Sequence, residues 1–343
     1  MKILSKKKSE GYFIEKSIYL LNYEIYYKIK KDLHSKKYYL GFSSNNVEME
    51  YLNPYMDTFT NYDTILVIDS NIGEAFLTLR LLPSILKKVK AIRPIIVLTQ
   101  KYHEQLIELF QYSIPHILIP ELHYSVMKSN FKINNKKYYI CYSHPYYRKI
   151  EKSLTSKKPI HFYDAMIKHF GLNKKQLRTN LPKLSDKSES SLYDKLNKIK
   201  LNINNFVIIS PEANSCKKLS LDFWVKLVEY YHQNAIDVFL NCVQEMHIPN
   251  TKSCYLNFEE FCFLIQKARA SVFLRSGLCD IATSFVTSPC TVLYSELNYV
   301  NDVDTLAGFS VKPFSKDPQL INEYRIKQFK EDILIDKIRR NIL

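Results

Sequence analysis

Phe206-Val-Ile-Ile-Ser210, then Pro211-Glu-Ala-Asn-Ser-Cys-Lys-Lys218, then Ser220-Leu-Asp-Phe-Trp-Val-Lys-Leu-Val228 is the stretch whose reading decides the fold. The first run is apolar, the second is a polar loop opened by proline, and the third is amphipathic. Leu221, Trp224, Val225 and Val228 fall at i, i+3, i+4 and i+7, one face of a 3.6-residue period, and Ser220 is a natural N-cap for the helix they predict. The order is strand, loop, helix.

The pattern then repeats. Ile236-Asp-Val-Phe-Leu240 predicts a second strand, and Asn257-Phe-Glu-Glu260 has the capping-box spacing that opens a helix over 261–268. Ser271-Val-Phe-Leu274 predicts a third strand, ending in the polar turn Arg275-Ser-Gly-Leu-Cys-Asp280 before a short helix over 281–285. Cys290-Thr-Val-Leu-Tyr294 predicts a fourth. Strands alternating with helices of this length form βαβ units around a parallel sheet, and such sheets bind ligands at the carboxyl ends of their strands. The loops at 211–218 and 275–280 lie at two of those ends.

The order Pro211-Glu-Ala, Lys217, Trp224, Ile265-Gln-Lys-Ala268 and a strand running into Ser276-Gly277 resembles the C-terminal domain of the ADP-heptose:lipopolysaccharide heptosyltransferases. Upstream, Thr64-Ile-Leu-Val-Ile68 followed by Gly73-Glu-Ala-Phe-Leu-Thr-Leu-Arg-Leu-Leu-Pro83 is similar to that family's N-terminal signature of strand, Gly-acid pair and helix. The resemblance implies an α/β protein of the GT-B class, two Rossmann-like domains with parallel sheets facing an interdomain cleft. The divisions expected are a basic amphipathic extension over 1–63, an acceptor-side domain over 64–182 and a linker over 183–202. A nucleotide-sugar-binding domain over 203–312 follows, then a C-terminal helix over 313–343 that packs back on the first domain.

Composition agrees with such a protein. A chain of 343 residues can bury two cores, and its formal net charge of +15, from 49 Lys+Arg against 34 Asp+Glu, favours an anionic partner. A nucleotide sugar, an acidic glycan or an anionic lipid surface would serve; nucleic acid is disfavoured because no zinc-finger, helix-turn-helix or RNP pattern accompanies the charge. The 7 cysteines show no CxxC and no metal spacing, which suits buried thiols in a reducing cytoplasm. No run approaches the ~20 apolar residues that span a bilayer, and no signal-peptide pattern stands at the start. The expected location is therefore cytoplasmic, with possible peripheral contact at the inner face of the plasma membrane. With only 6 glycines and no GxGxxG or P-loop, dinucleotide oxidoreductases and P-loop NTPases are poor fits.

Taken in order, Ile14, Ile18, Leu21, Ile25 and Ile29 make an apolar stripe that predicts a helix, which can lie on a membrane or pack on the first domain. From 64 onward a βα period predicts strands at 64–68, 94–99, 116–119 and 138–142, with helices over 74–87 and 101–112. Between 128 and 158, basic residues interleaved with tyrosines could form a wall for an anionic acceptor or a solvated face. Residues 316–343 read as polar helix anchored by Ile333, Ile335, Ile338 and Ile342.

Inverting sugar transfer needs a base for the acceptor hydroxyl and cations or N–H groups for the leaving diphosphate. Glu74 stands where the family keeps its catalytic aspartate, which implies a base; by itself it is also a first-turn glutamate favoured by the helix dipole. Lys217 matches the family's diphosphate lysine, with Lys218 beside it able to substitute, although loop lysines are commonly just solvated. Ser276 and Gly277 open a helix at a strand end, where N–H groups suit a phosphate, and the same residues also make an ordinary βα turn. Glu212 and Glu245 join the expected donor-binding set.

Three departures stand out against the family: Arg275 where an acid is usual, Asp280 where histidine is usual, and Glu212 in place of a small residue. Arg275 could itself grip the diphosphate, and Asp280 counts with the donor-binding residues. Asp302-Val-Asp304 resembles a metal-binding DxD but sits in a late loop of the wrong fold, so no metal and no cofactor are expected beyond the nucleotide-diphosphate sugar as co-substrate. The function expected is an inverting, metal-independent hexosyl- or heptosyl-type transfer to a bacterial surface glycan such as lipopolysaccharide, capsule or a lipid-linked precursor. The rivals are a non-catalytic glycan-binding or scaffolding protein of the same fold and a nucleotide-sugar epimerase.

Overall fold

The computed structural model describes residues 2–7, 13–20, 23–31, 38–43, 56–119, 132–133, 136–142, 150, 153–154, 156, 158–242, 247–298 and 305–341. The chain divides into two compact units: residues 1–67, 92–99 and 116–140, and residues 68–91, 100–115 and 141–343.

The first unit opens with an antiparallel sheet of β1 (Lys2–Lys7), β2 (Phe13–Leu20), β3 (Tyr23–Lys31) and β4 (Tyr38–Ser43), in the order β1-β2-β3-β4. Here the expected helix gives way to strands. Ile14 and Ile18, and Ile25 and Ile29, are four apart, a spacing that fits a helical turn and a strand face equally; the dense Tyr, Ile and Phe then favour the strand. After the short helix α1 (Met56–Thr60) comes a sheet of order β7-β6-β5-β9-β8, made of β5 (Thr64–Asp69), β6 (Pro94–Leu98), β7 (His116–Leu118), β8 (Lys132–Ile133) and β9 (Lys136–Tyr142). β6 and β7 run parallel, and β8 and β9 form an antiparallel hairpin. Ile65, Leu66, Val67, Ile96 and Val97 are buried, as expected of strands whose sequence is apolar throughout rather than alternating.

The second unit holds α2 (Ile72–Val89), α3 (Tyr102–Phe110) and α4 (Phe162–His169), then α5 (Asp186–Lys198) and the second βα run. That run is β10 (Phe206–Ser210), α6 (Leu221–Gln233), β11 (Asp237–Leu240), α7 (Phe258–Lys267), β12 (Ala270–Leu274), α8 (Gly277–Ala282) and β13 (Cys290–Tyr294). It closes with α9 (Thr305–Phe309), β14 (Ile321–Arg325) and α10 (Glu331–Arg340). The strands make one parallel sheet of order β11-β10-β12-β13-β14. The fold is α/β with two sheets of mainly parallel strands.

Ser220 caps α6, accepting from the Phe223 N–H at 3.1 Å. The buried face of that helix is Phe223, Trp224, Leu227, Val228 and Tyr231, while Leu221 is exposed. The four-residue stripe read from sequence was therefore off by part of a turn: a first-turn residue has no preceding turn beneath it to cover.

Two further expectations are corrected. The residues expected as a linker form α5, because Leu192 and Leu196 are buried one turn apart and the acid pair opening α7 holds the polar side. The Glu260 carboxylate accepts from Ser191 Oγ at 2.7 Å and Lys195 Nζ at 2.7 Å, and closes the expected capping box by accepting the Asn257 N–H at 2.8 Å. The tail is not one polar helix: Ile321–Arg325 pairs with β13 as an edge strand, where one-sided burial tolerates polar residues. α10 lies on α6, with Glu331 accepting from Ser220 Oγ at 3.0 Å and the Arg339 guanidinium 4.2 Å over the Tyr230 ring. Ile335 and Ile338 are buried as anchors and Ile333 is exposed; Ile342 lies outside the described residues.

Glu260→Ala should cost about 2–3 kcal/mol, since it removes a capping bond and charge-assisted bonds from a buried carboxylate. Denaturant unfolding checks this; a loss below ~0.5 kcal/mol would mean that Leu192 and Leu196 hold α5 unaided.

Candidate functional site

The turn after β12 places Arg275 and Asp280 face to face in the interior. Arg275 Nη2 lies 2.8 Å from Asp280 Oδ1, Nε donates to the Phe309 carbonyl at 2.9 Å, and Nη1 donates to the Ser276 carbonyl. Both side chains are buried. The guanidinium expected to grip a diphosphate is thus committed to the protein's own carbonyls and carboxylate. The two departures from the family pattern, at 275 and 280, prove to be one feature, because the arginine and the aspartate hydrogen-bond each other.

Glycine is required where this turn meets α2. A Cβ on Gly73 would collide with Asp280 Oδ2 and sit 2.9 Å from Gly277 Cα; one on Gly277 would sit 2.7 Å from the Gly73 nitrogen. The starts of α2 and α8 therefore touch, backbone against backbone. Ser276 and Gly277 are half-buried there, and the Ser276 N–H points to Cys279 Sγ at 3.4 Å.

Glu74, in the first turn of α2, is buried and close enough to Asp280 for their charges to oppose. Burial first, then Glu74, push the Asp280 carboxyl up to about 7 against the pull of Arg275. Asp69, the last residue of β5, is buried too. Burial, followed by the charges of Glu74 and Asp69, pushes the Tyr102 hydroxyl up to about 12. His103 is fully buried with Nε2 2.9 Å from the Ser70 carbonyl. Asp69, Tyr102 and His103 were not singled out from sequence. Asp69 carried a readable signal, an acid closing a strand that feeds a βα turn; Tyr102 and His103 carried none, because their helix comes alongside only in three dimensions. Carboxylates gathered in a poorly solvated place resist ionising together, so one of them can exchange a proton near neutral pH.

The lysine loop stands at the ends of other strands. Lys217 Nζ lies 2.6 Å from Glu296 Oε2, its backbone N–H donates to the Glu296 carbonyl at 2.7 Å, and Lys327 Nζ reaches Glu296 Oε1. Glu296 and Lys327 were also missed, since each lies far from Lys217 in sequence. Lys218 is exposed and Glu212 half-buried on the same loop. Burial pushes the Cys216 thiol up, against a smaller opposing pull from Arg275. Glu245, Asp302, Asp304 and most of 128–158, with the wall of lysines and tyrosines expected there, lie outside the described residues. Among the described residues, no group of three His, Cys, Asp or Glu side chains is placed to hold a metal ion, and no helix is long and apolar enough to cross a membrane.

No family profile matches the sequence, and no curated protein sequence does. Solved structures are similar at low identity. E. coli ADP-heptose lps heptosyltransferase II aligns over 81% of this chain and 98% of its own, at 11% identity and a TM-score of 0.52. A glycosyl transferase family 9 protein from Veillonella parvula DSM 2008 aligns over 82% and 90%, at 11% identity and a TM-score of 0.49. E. coli heptosyltransferase WaaC with ADP aligns over 81% and 97%, at 12% identity and a TM-score of 0.44. The first of these similarities shows the fold: the chain has the GT-B architecture of heptosyltransferase II.

Asp280 carries a pH prediction. Its folded pKa of about 7 lies above the ordinary 3.8, so between those values the folded chain keeps a proton that the unfolded chain releases. Its contribution to stability should therefore fall as pH rises from about 4 to about 7 and level off beyond. Asp280→Asn should flatten that part of the profile, measured as unfolding free energy against pH; an unchanged slope would assign it to another group.

Proposed function

We propose that this chain is a glycosyltransferase that moves a sugar from a nucleotide-diphosphate donor to an anionic surface glycan or its lipid-linked precursor, by inversion and without a metal ion. The observation that carries the reading is the meeting of two βα turns: Glu74 at the start of α2 is buried beside Asp280 and the Gly73–Gly277 contact. The GT-B fold of a heptosyltransferase supports it, as do a lysine at the end of β10 and a net charge of +15. In this scheme Glu74 takes the acceptor hydroxyl's proton as oxygen attacks the sugar's anomeric carbon. The bond to the donor phosphate breaks, and Lys217, with Lys218, stabilises the leaving diphosphate. Arg275 orients Asp280 and does not touch the donor. The positive charge fits work in the cytoplasm beside an anionic membrane.

One observation favours a second reading, a non-catalytic member of the same fold: Glu296 already occupies the ammonium of Lys217. A transferase would have to exchange that contact for the donor, whereas a scaffold would keep it.

Glu74→Gln separates the two. It preserves size and hydrogen bonding but cannot accept a proton, so sugar transfer should fall by about 10²- to 10⁴-fold, with donor affinity unmoved because the carboxylate serves the acceptor. Transfer at the wild-type rate would remove Glu74 as base and turn attention to Asp69. Absence of transfer from every nucleotide sugar tried, together with glycan binding by the wild type, would favour the scaffold.

A further inference from the structure

We infer that Glu296 and Lys327 complete the anion site of Lys217, with the Glu296 carboxylate standing where a ligand's diphosphate group binds. The inference rests on the transferase reading for its ligand, a nucleoside diphosphate.

Three strand ends meet here. The loop after β10 is stapled to the segment after β13 through the backbone, where Cys216 bridges Leu297 and the Asn298 N–H donates to the Ser215 carbonyl at 2.9 Å, and through the Asn298 side chain, whose Nδ2 donates to the Asn214 carbonyl at 2.9 Å. Ser295 Oγ adds a bond to the Lys217 carbonyl at 2.7 Å. Lys327 comes from the turn that follows β14. The positions of Lys217 and Glu296 are thus set by main-chain bonds, and the side-chain contacts can exchange without moving the loops.

One carboxylate, 16% exposed, takes two ammonium groups on its two oxygens, from lysine side chains that are 47% and 48% exposed. Ion pairs with lysines so open to water are weakly held. A diphosphate brings more negative charge and more acceptor oxygens to the same two ammoniums, which bind phosphate as point charges. All three residues lie at the carboxyl ends of parallel strands, where this class of sheet takes its ligands. Glu296 therefore acts as a competitor built into the site: it keeps the lysines together before the ligand arrives and lowers the affinity for it.

Calorimetric titration of the full chain with inorganic pyrophosphate, ADP and UDP tests this on the wild type, Glu296→Gln and Lys327→Ala. Glu296→Gln should tighten binding of pyrophosphate and of at least one nucleotide by about threefold to tenfold, the release of an exposed ion pair. Lys327→Ala should weaken both by about tenfold or more, the loss of a charged hydrogen bond, and it carries the test alone if the glutamine variant folds poorly. Nucleotide binding by the wild type that neither substitution changes would overturn the inference and leave the transferase reading standing. Pyrophosphate responding as expected while no nucleotide binds would keep the anion site and sink the transferase reading. Binding of no probe by any variant would sink both.

Discussion

The buried ion pair of Arg275 and Asp280 is the interaction on which the centre of the second unit depends. Two charges out of water are costly, and removing either one would strand the other at about 3–5 kcal/mol. The structure spreads the arginine's donors over three acceptors on two elements: Asp280 in α8, the Ser276 carbonyl at its start and the Phe309 carbonyl at the end of α9. That carbonyl is shared with Tyr294, whose hydroxyl donates to Glu323 at 2.6 Å, and Glu323 accepts from the Val311 N–H and Ser310 Oγ. His161 Nε2 donates to the Ser310 carbonyl at 2.9 Å, while its Nδ1 accepts the Tyr163 N–H. A single polar network thus ties α4, α8, α9, β13 and β14 together, and burial lowers the His161 pKa so that it takes part as a neutral ring.

Because that network satisfies Arg275 from within, the electrostatics of the unit separate into two kinds of place. Around the start of α2 there is an excess of carboxylate, with Glu74 and Asp69 acting on Tyr102 and Glu74 acting on Asp280. Around the ends of β10, β13 and β14 two ammoniums meet one carboxylate. The proposed sugar transfer would draw on both environments: a group that can hold a proton near neutral pH, and cations that stabilise a leaving diphosphate.

Sequence by itself determined the second βα run, because each step there is local. A strand of Val, Ile and Phe, a Ser or Asn cap and a capping box are decided within a few residues, and Ser220, Asn257 and Glu260 do in the structure what their spacing predicts. Gly73 and Gly277 were legible as positions beside strand ends, and Glu74 as a first-turn acid. Tertiary structure decided the rest, for reasons that act over long separations. Isoleucines four apart satisfy a helix and a strand alike, so the N-terminal segment needed partner strands to choose. The serine-rich residues before β10 are poor helix formers until Glu259 and Glu260 of α7 meet them. The partners of Arg275, Asp280 and the Phe309 carbonyl, are assigned only by folding. Lys217 gained Glu296, 79 residues away, only when parallel strands brought their ends side by side. Local chemistry is written in neighbouring residues, whereas the pairing of charges depends on which strand ends the fold makes adjacent.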